Sequence, residues 1–428
     1  SACEEPQDGC GQVCEGLTTL FEAQSDDTIL GASLVGDRLA VTSNSFDVAH
    51  LRLIAMDGEV IADQMYGDWW SNTITTHITA PVYDAAREQI YVAYTLWQSQ
   101  FGEDAPEVYL TAIDREGEEL WNTWVWSYSP DGGHSPGGLQ PVLFGDEVAV
   151  NTASPFGAFE GPVEQIRGFT SSTGEMAWSV ESHFTHPMVA NAESLFVHNY
   201  GLVLNLAVGA DAMGLLYIDS SNRQQRSGTP LSMPLAINRD GSVLYAANRA
   251  FHIDIQPAND WIVAIDTGTD DPESALWETE LPHDRILSDG PVLSEELVVL
   301  PLANGIWALD RERGASRWVV DMEHPIGSAV VGDGGAIYFL EWGDEQAWVG
   351  AVDMDGSPQF RCLLPVEGPF YDSNGIDTTH RTTLILHDGR LMIPLGSKIV
   401  TLQVNSNSLA ATGWPRRYGN NRNTSAVP

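Results

Sequence analysis

Histidine is the residue type in this sequence whose placement could support chemistry. The chain has 428 residues and 11 His, and seven of these come shortly before a run of apolar residues. They are His77, His134, His183, His186, His283, His324 and His380, and the same stretches hold Gln140, Arg285 and Arg381. Imidazole binds transition metals and titrates between about pH 5 and 8, and guanidinium groups bind small anions. A fold that gathers these stretches would therefore create a site for a metal ion or a small ligand.

The apolar runs that follow these stretches belong to an internal repeat. Each copy is an apolar strand, an acidic or glycine-containing turn and a second apolar strand, which is typical of a β-hairpin. Eight copies begin at Ser33, Pro81, Pro141, Pro187, Pro234, Pro291, Ala329 and Thr383. Finding a repeat of this length predicts a ring or an array of similar units.

A second motif follows each hairpin and reads Ala-x-Asp, then Gly, then Trp. The clearest copy runs from Ala308 and Asp310 through Gly314 to Trp318, whereas Ala55-Met56-Asp57 keeps the strand and lacks the Trp. In such a turn Asp accepts backbone N–H groups and Gly supplies a positive φ. The Trp is expected to cover the gap between adjacent sheets and to bury a large apolar area.

Together the two motifs give each repeat four strands, and no segment shows helical periodicity. The sequence predicts an all-β fold, namely a single β-propeller of eight four-stranded blades, with seven blades as the alternative. Residues 1–30 are expected to form a Cys-containing tail and residues 31–428 the propeller with a C-terminal closing segment. Residues 17–24 or 409–418 are the candidates for closing the ring. The histidine-containing stretches become inter-blade loops that meet at the mouth of the central channel.

The motif resembles the tryptophan-docking repeat of the pyrroloquinoline-quinone-type (PQQ-like) propellers over about residues 31–404, an architecture similar to WD40 propellers. Dehydrogenases of that family bind PQQ and Ca²⁺ on the axis and contain a vicinal cysteine pair, which this sequence lacks together with any C-x-x-C-H motif. PQQ is therefore not expected as a cofactor. The sequence is similar instead to the outer-membrane assembly lipoproteins of this class. That resemblance implies a non-catalytic propeller of the bacterial cell envelope with a protein partner.

The alternative function is a small-ligand or metal-binding protein, or an enzyme, that uses the histidines at the channel mouth. Ca²⁺ or a transition metal would then be the cofactor. Spacing in the sequence cannot show whether three of these side chains reach one metal ion.

The cysteines point to an exported protein. They are Cys3, Cys10, Cys14 and Cys362, and their spacing lacks the fourth ligand of a zinc site. A disulfide within the tail, or one that tethers the tail to Cys362, is expected instead. Ser1-Ala2-Cys3 matches the end of a bacterial lipobox, which predicts a lipid anchor at Cys3. The expected location is the periplasm, as an outer-membrane lipoprotein, or the extracellular space.

The charge balance narrows the range of partners. The chain has 59 Asp and Glu against 20 Lys and Arg, giving a net charge of −39, and Lys398 is its single lysine. So negative a protein repels nucleic acid. No apolar run reaches the roughly 18 residues of a membrane-spanning helix, and a monomer is expected.

Several aromatic residues are candidates for an interaction surface. Trp69 and Trp70 lie in a predicted loop and are the candidates for exposure. Trp121, Trp124 and Trp126 are interpreted as strand residues that pack inside the fold.

Overall fold

The structure, a computed structural model, describes most of the repeated region of the chain. The described residues are 13–24, 27–45, 48–67, 73–98, 107–127, 140–151, 165–181, 188–191, 194–199, 202–207, 213–218, 231–232, 235–249, 260–268, 275–281, 287–323, 326–343, 346–367, 383–411, 416 and 419–420. These residues form 34 β-strands and contain no helix.

The strands of the first four blades follow one another along the chain. Blade 1 consists of β2 (Thr28–Val35), β3 (Arg38–Asn44), β4 (Ala49–Ala55) and β5 (Val60–Tyr66). Blade 2 consists of β6 (Thr73–Ile78), β7 (Val82–Asp84), β8 (Gln89–Gln98), β9 (Glu107–Asp114) and β10 (Glu119–Ser127). Blade 3 consists of β11 (Val142–Phe144), β12 (Glu147–Asn151), β13 (Gln165–Thr170) and β14 (Met176–Glu181). Blade 4 consists of β15 (Met188–Ala190), β16 (Ser194–Asn199), β17 (Leu202–Ala207) and β18 (Met213–Ile218).

The remaining blades continue this order, and the last one takes its fourth strand from the N-terminal region. Blade 5 consists of β19 (Leu231–Ser232), β20 (Ala236–Ile237), β21 (Val243–Arg249), β22 (Trp261–Asp266) and β23 (Ala275–Glu280). Blade 6 consists of β24 (Val292–Leu293), β25 (Leu297–Leu302), β26 (Gly305–Asp310) and β27 (Ser316–Asp321). Blade 7 consists of β28 (Ile326–Val331), β29 (Ile337–Gly343), β30 (Gln346–Val352) and β31 (Pro358–Glu367). Blade 8 consists of β32 (Ile385–His387), β33 (Arg390–Leu395), β34 (Lys398–Gln403) and β1 (Thr18–Glu22).

The eight sheets form a closed ring, which confirms the predicted count of eight blades. Each sheet is antiparallel and its strands follow chain order, except that β1 completes blade 8. The first strands of adjacent blades contact one another, as β2 does with β7 and β32, so these strands lie nearest the axis. Each junction is filled by buried apolar residues from both neighbours. At the junction of blades 8 and 1, for example, Ile385 packs in one cluster with Ile29 and Leu39.

The ring is closed by β1, one of the two segments predicted for this role. Thr18–Glu22 pairs antiparallel with β34 and becomes the outermost strand of blade 8. The single lysine takes part, because Lys398 lies opposite Glu22 and its Nζ is 3.2 Å from the Glu22 carboxylate. The other candidate, residues 409–418, has a different position. Leu409 and Arg416 bridge to Gly332 and Val330 beside the innermost strand of blade 7.

A disulfide fastens the N-terminal segment before it reaches blade 8. Cys14 is bonded to Cys362 in β31, with the two Cα atoms 5.0 Å apart. The Cys14 N–H donates to the carbonyl of Leu363 at 3.2 Å, and Val13 forms a parallel bridge with the same residue. Of the two pairings left open by the sequence, the structure shows the tether to Cys362. Cys3 and Cys10 lie outside the described residues.

The Ala-x-Asp…Gly…Trp motif joins blade 2 to 3, blade 5 to 6 and blade 6 to 7. In blade 6 the Asp310 carboxylate accepts the N–H groups of Glu312 and Arg313, both at 3.1 Å, and Gly314 has a φ of 67°. Trp277 of blade 5 lies on this turn, and its indole N–H donates to the carbonyl of Arg311 at 3.0 Å. A Cβ atom on Gly314 would come within 2.4 Å of the Trp277 ring. Glycine is therefore required twice over, by its backbone conformation and by the close approach of the indole.

Blade 1 keeps the turn of the Ala-x-Asp…Gly…Trp motif. The turn begins two residues earlier in the chain than the sequence motif indicated. The Gly58 N–H donates to the carbonyl of Ala55 at 2.9 Å, as the Gly117 N–H does to that of Asp114 at 3.1 Å. Ala55 therefore occupies the position of the motif Asp, and the alignment of Ala55-Met56-Asp57 with the motif was wrong by two residues. Asp57 still caps the turn, since its carboxylate accepts the N–H of Glu59 at 3.2 Å.

Blade 1 also exchanges the large and the small residue of the motif. Ala112 pairs with Trp121 in blade 2, whereas Leu53 pairs with Ala62 in blade 1. A Cβ atom on Gly117 would lie 2.4 Å from the Ala62 methyl and 3.6 Å from Leu53 Cδ1. The leucine of the third strand thus fills space that the indole of the outermost strand fills in other blades.

This exchange predicts a compensating pair of substitutions. Ala62→Trp alone should lower the free energy of unfolding by about 1–3 kcal/mol because the indole meets Leu53. Combining it with Leu53→Ala should recover most of that loss, since the pair then matches Ala112 and Trp121. Urea unfolding of both single variants and the double variant measures the coupling. Strictly additive losses would contradict the exchange.

Candidate functional site

Two residues of the predicted ligand site fall within the described ranges. Both lie at the end of the ring where the outermost strand of one blade connects to the first strand of the next. His77 is buried in β6, and the Gln140 side-chain amide donates to the carbonyl of Ala80 at 3.2 Å. Gln140 thus links blade 3 to Ala80 of blade 2, which follows His77 by three residues in the chain.

The rest of the predicted site lies outside the described residues. This applies to His134, His183, His186, His283, Arg285, His324, His380 and Arg381, and equally to Trp69, Trp70 and Cys3. Their gathering at the channel mouth stays a prediction. Within the described ranges, no group of three or more His, Cys, Asp or Glu residues is arranged to hold a metal ion.

The described part of this end of the ring is polar and buried. Six of its residues, from blades 1, 2, 3, 5, 6 and 8, are Asn44, His77, Asn151, Asp260, Asp289 and Thr383. The two carboxylates among them accept hydrogen bonds from the backbone. Asp260 accepts the N–H of Leu287 at 2.6 Å, and Asp289 accepts that of Gly290 at 2.8 Å. Buried carboxylates need such donors. These two therefore fix the path of the chain into the first strand of blade 6.

A charged network crosses blade 1 at the same end. Arg52 Nη1 lies 2.9 Å from the Asp27 carboxylate and donates to the Ser43 hydroxyl at 2.7 Å. Arg52 Nε donates to Asp63 at 3.0 Å, and the second oxygen of Asp63 lies 2.9 Å from His50 Nδ1. Arg52 and Asp27 are buried, so each charge needs the partners it has. The network ties together three strands of the blade, β3, β4 and β5, and Asp27, the residue that precedes β2.

Acid should weaken this network at Asp63. Burial acts to raise the pKa of Asp63, but the hydrogen bond and charge of His50, together with Arg52, bring it below the ordinary 3.8. A carboxylate whose pKa is lower in the folded state stabilises the fold above its unfolded pKa, and that contribution disappears as the pH falls through the folded pKa. Asp63→Asn should therefore destabilise the protein at pH 7 and much less at pH 3.

The measurement is the thermal midpoint of wild type and variant against pH. The control is Asp37→Asn, because the Asp37 side chain is 97% exposed and should matter little at either pH. An equal loss for Asp63→Asn at pH 7 and pH 3 would show that the charge of this carboxylate contributes nothing.

A cleft of about 850 Å³ is lined mainly by residues of blade 7. It extends to residues of blades 6 and 8 and to the disulfide. Its one arginine is engaged, because Arg361 forms a two-point ion pair with the fully buried Glu341 at 2.8 and 3.2 Å. The same guanidinium lies 5.1 Å from the centre of the Trp348 ring. The cleft is also lined by Glu15, Asp321 and Glu323. These carboxylates make the wall of the cleft acidic, which favours the binding of a basic group over the binding of an anion.

The exposed large apolar side chains follow a simple rule of position. Eight of the nine in the described ranges lie on outermost strands: Val60, Ile61 and Met65 on β5, Leu120 and Trp124 on β10, Met176 on β14, Leu276 on β23 and Val319 on β27. The ninth, Val13, belongs to the segment that pairs with β31. Contiguous exposed apolar surface is typical of protein-binding regions, whereas single exposed apolar residues are common on any protein surface. We call this band of outermost strands the circumference.

Trp124 departs from its predicted role. Trp121 and Trp126 pack against the core between blades 2 and 3, as the sequence indicated for all three, but Trp124 is 46% exposed. Arg167 of blade 3 lies 5.5 Å from the centre of the Trp124 ring and 4.8 Å from that of Trp126. The same guanidinium donates to the carbonyl of Val125. The sequence could not reveal this exposure, because a register shift between Trp124 and Trp126 changes the alternation.

Comparisons with known proteins find similarity in structure and none in sequence. No protein-family model and no curated protein matches the chain. In the part of the chain that is described, no helix is long and apolar enough to cross a membrane.

Three solved structures resemble the chain over nearly its whole length. BamB from Moraxella catarrhalis is 16% identical with a TM-score of 0.56, and the match covers 90% of this chain and 96% of BamB. The computationally designed Ika8 protein is 11% identical with a TM-score of 0.59, covering 92% and 100% of the two chains. The Dos1 propeller is 11% identical with a TM-score of 0.55, covering 94% and 98%. At these identities the likeness concerns the fold, which is a β-propeller of the PQQ-like type.

Proposed function

We propose that the protein is a non-catalytic scaffold that binds other proteins in a bacterial cell envelope. The observation that carries this proposal is that eight of the nine exposed large apolar side chains in the described ranges lie on the circumference. The group on β5 carries the most weight, because Val60, Ile61 and Met65 are all exposed on one strand and clustered apolar side chains are typical of protein-binding surfaces. The similarity in fold to BamB and the resemblance of the repeats to outer-membrane assembly lipoproteins support the envelope setting.

The charge of the chain favours partners with basic surfaces. A net charge of −39 attracts basic proteins from a distance and speeds their encounter, and it repels acidic ones. The apolar residues on the outermost strands would then supply affinity at short range. Binding should accordingly weaken as salt is added.

Photo-crosslinking in intact envelopes tests the proposal. A photoreactive residue replaces Leu276 on the circumference in one variant and Glu312 in an exposed turn in the other. Amine-reactive reagents are unsuitable because the chain has one lysine. We expect crosslinks to envelope proteins from position 276 and few from position 312. A chain that remains uncrosslinked from both positions would overturn the scaffold function.

A second candidate function is the binding of a small polar ligand or metal ion at the channel mouth. It is favoured by the six buried polar residues at that end of the ring. Thermal shift with Zn²⁺, Ni²⁺, Ca²⁺ and phosphate tests it on wild type and on the double variant His186→Ala with His324→Ala. His387→Ala is the control, because His387 lies at the opposite end of blade 8. A shift in wild type that the double variant loses would support the site, and the absence of any shift would refute it.

A further inference from the structure

Two of the outermost strands are longer than the rest. β31 has 10 residues and β10 has 9. The remaining six have between 5 and 7 residues, in β1, β5, β14, β18, β23 and β27. An outermost strand ends its sheet and presents a row of backbone N–H and C=O groups, so added length means more groups to pair.

The longer of the two is covered by the chain itself. Val13 pairs in parallel with Leu363 of β31, and the Cys14 N–H donates to the Leu363 carbonyl. The disulfide to Cys362 holds this added segment in place. An outer edge of this propeller is thus able to accept a further extended segment.

β10 offers the same edge without such a cover in the described structure. It ends its sheet and pairs with β9. Between two register shifts, residues 121–124 pair regularly with residues 109–112. This stretch keeps a regular ladder that a further strand could extend, because the shifts that would distort the edge lie at its ends.

The edge of β10 carries a rigid aromatic anchor. Trp124 is 46% exposed, yet Arg167 stacks on its ring and binds the carbonyl of the next residue. An exposed tryptophan held in this way loses little side-chain freedom on binding, which is the property of an interface hot spot. Leu120 is a second exposed apolar side chain on the same strand.

The charge beside β10 indicates the chemistry of the partner. Glu118 and Glu119 are exposed where the strand begins, and the whole chain is strongly acidic. A second copy of this chain would bring acidic groups against acidic groups. A basic segment would instead meet carboxylates at close range.

We propose that the outer edge of β10 binds an extended segment of a partner protein in which apolar side chains alternate with lysine or arginine. The segment adds to blade 2 as a fifth strand, with backbone hydrogen bonds along residues 121–124 and an apolar side chain against Trp124. The inference rests on the proposed scaffold function and names its docking edge and the class of partner.

A nine-residue peptide of alternating valine and lysine is the probe, measured by fluorescence anisotropy against the full chain. Two matched peptides control for charge and for backbone pairing. One replaces lysine by glutamate, and the other carries N-methyl groups on alternate amides, which removes the donors of one edge. We expect binding of the first peptide and loss of binding for both controls.

Two variants place the binding on β10. Trp124→Ala should weaken the peptide about tenfold or more, as loss of a hot-spot residue does. Glu312→Ala is the control, because Glu312 lies in an exposed turn away from the outermost strands and should leave binding unchanged. Equal affinity of wild type and Trp124→Ala, or undiminished binding of the N-methylated peptide, would overturn the proposal.

The outcome can be separated from that of the scaffold function. If position 276 still crosslinks envelope proteins while the peptide fails these tests, the β10 edge is not the docking site and the scaffold function stands. If sedimentation shows a dimer that Trp124→Ala abolishes, the edge serves a second copy, and the proposal of a basic partner is wrong.

Discussion

Breaking the disulfide between Cys14 and Cys362 should lower the free energy of unfolding by about 3–5 kcal/mol. The two cysteines are 348 residues apart in the sequence, so the bond closes a loop that contains most of the ring. Such a crosslink removes conformational freedom from the unfolded chain, and the effect grows with loop length. It also holds the N-terminal segment on blade 7, directly before the strand that closes blade 8.

The test compares urea unfolding of wild type, with and without reductant, with that of the double variant Cys14→Ser and Cys362→Ser. Reduced wild type and the double variant should unfold at the same lower urea concentration. Reductant should not affect the double variant, which controls for Cys3 and Cys10. Identical unfolding of oxidised and reduced wild type would show that the bond does not stabilise the fold.

Replacing a docking tryptophan by alanine should cost about as much. Trp318 lies on Gly356 of blade 7 and donates its indole N–H to the carbonyl of Met354 at 2.7 Å. Trp318→Ala would remove the hydrogen bond and leave a cavity between blades 6 and 7, at a cost of about 3–5 kcal/mol. Trp318→Phe should cost less, because Phe360 occupies the equivalent position opposite Ala351 in blade 7.

Trp124→Ala is the matched control for this prediction. It removes the same side chain from an outermost strand, but from an exposed position, so a loss below about 1 kcal/mol is expected. Thermal or urea unfolding of the three variants decides the question. If Trp318→Ala and Trp124→Ala were equally stable, the docking contact would not be a major source of stability.

The fold was predictable because its determinants are local. The turn at Asp310 and Gly314 needs an acceptor for two N–H groups and a residue with positive φ, and both appear at fixed spacing in the sequence. Eight copies of the hairpin predicted eight blades, with seven as the alternative, and the structure contains eight sheets. Blade 1 shows the limit of this reasoning. There Leu53 and Ala62 fill the space that alanine and tryptophan fill in blade 2. A linear motif cannot show which of the two strands supplies the large side chain.

The candidate sites were less predictable because they depend on distant pairs. Arg52 contacts Asp27 and Asp63 from three different parts of blade 1, and no motif unites them. Of the histidine-containing stretches, His77 lies in a described strand, and Gln140 reaches across to the blade before it. The circumference could not be foreseen, because the exposure of a residue such as Trp124 follows from strand register.

The position of the Cys14–Cys362 bond also determines how the molecule responds to mechanical force. A pull applied at the N-terminal end and resisted at the C-terminal end passes from Cys14 directly into β31. The chain between the two cysteines, which includes β1, blades 1 to 6 and most of blade 7, is bypassed and bears no tension along its backbone. Stretching would therefore unravel the part after Cys362, beginning with blade 8, while the covalent loop limits the extension. If the protein were attached at its N-terminal end, most of its ring would therefore experience no tension when the C-terminal end is pulled.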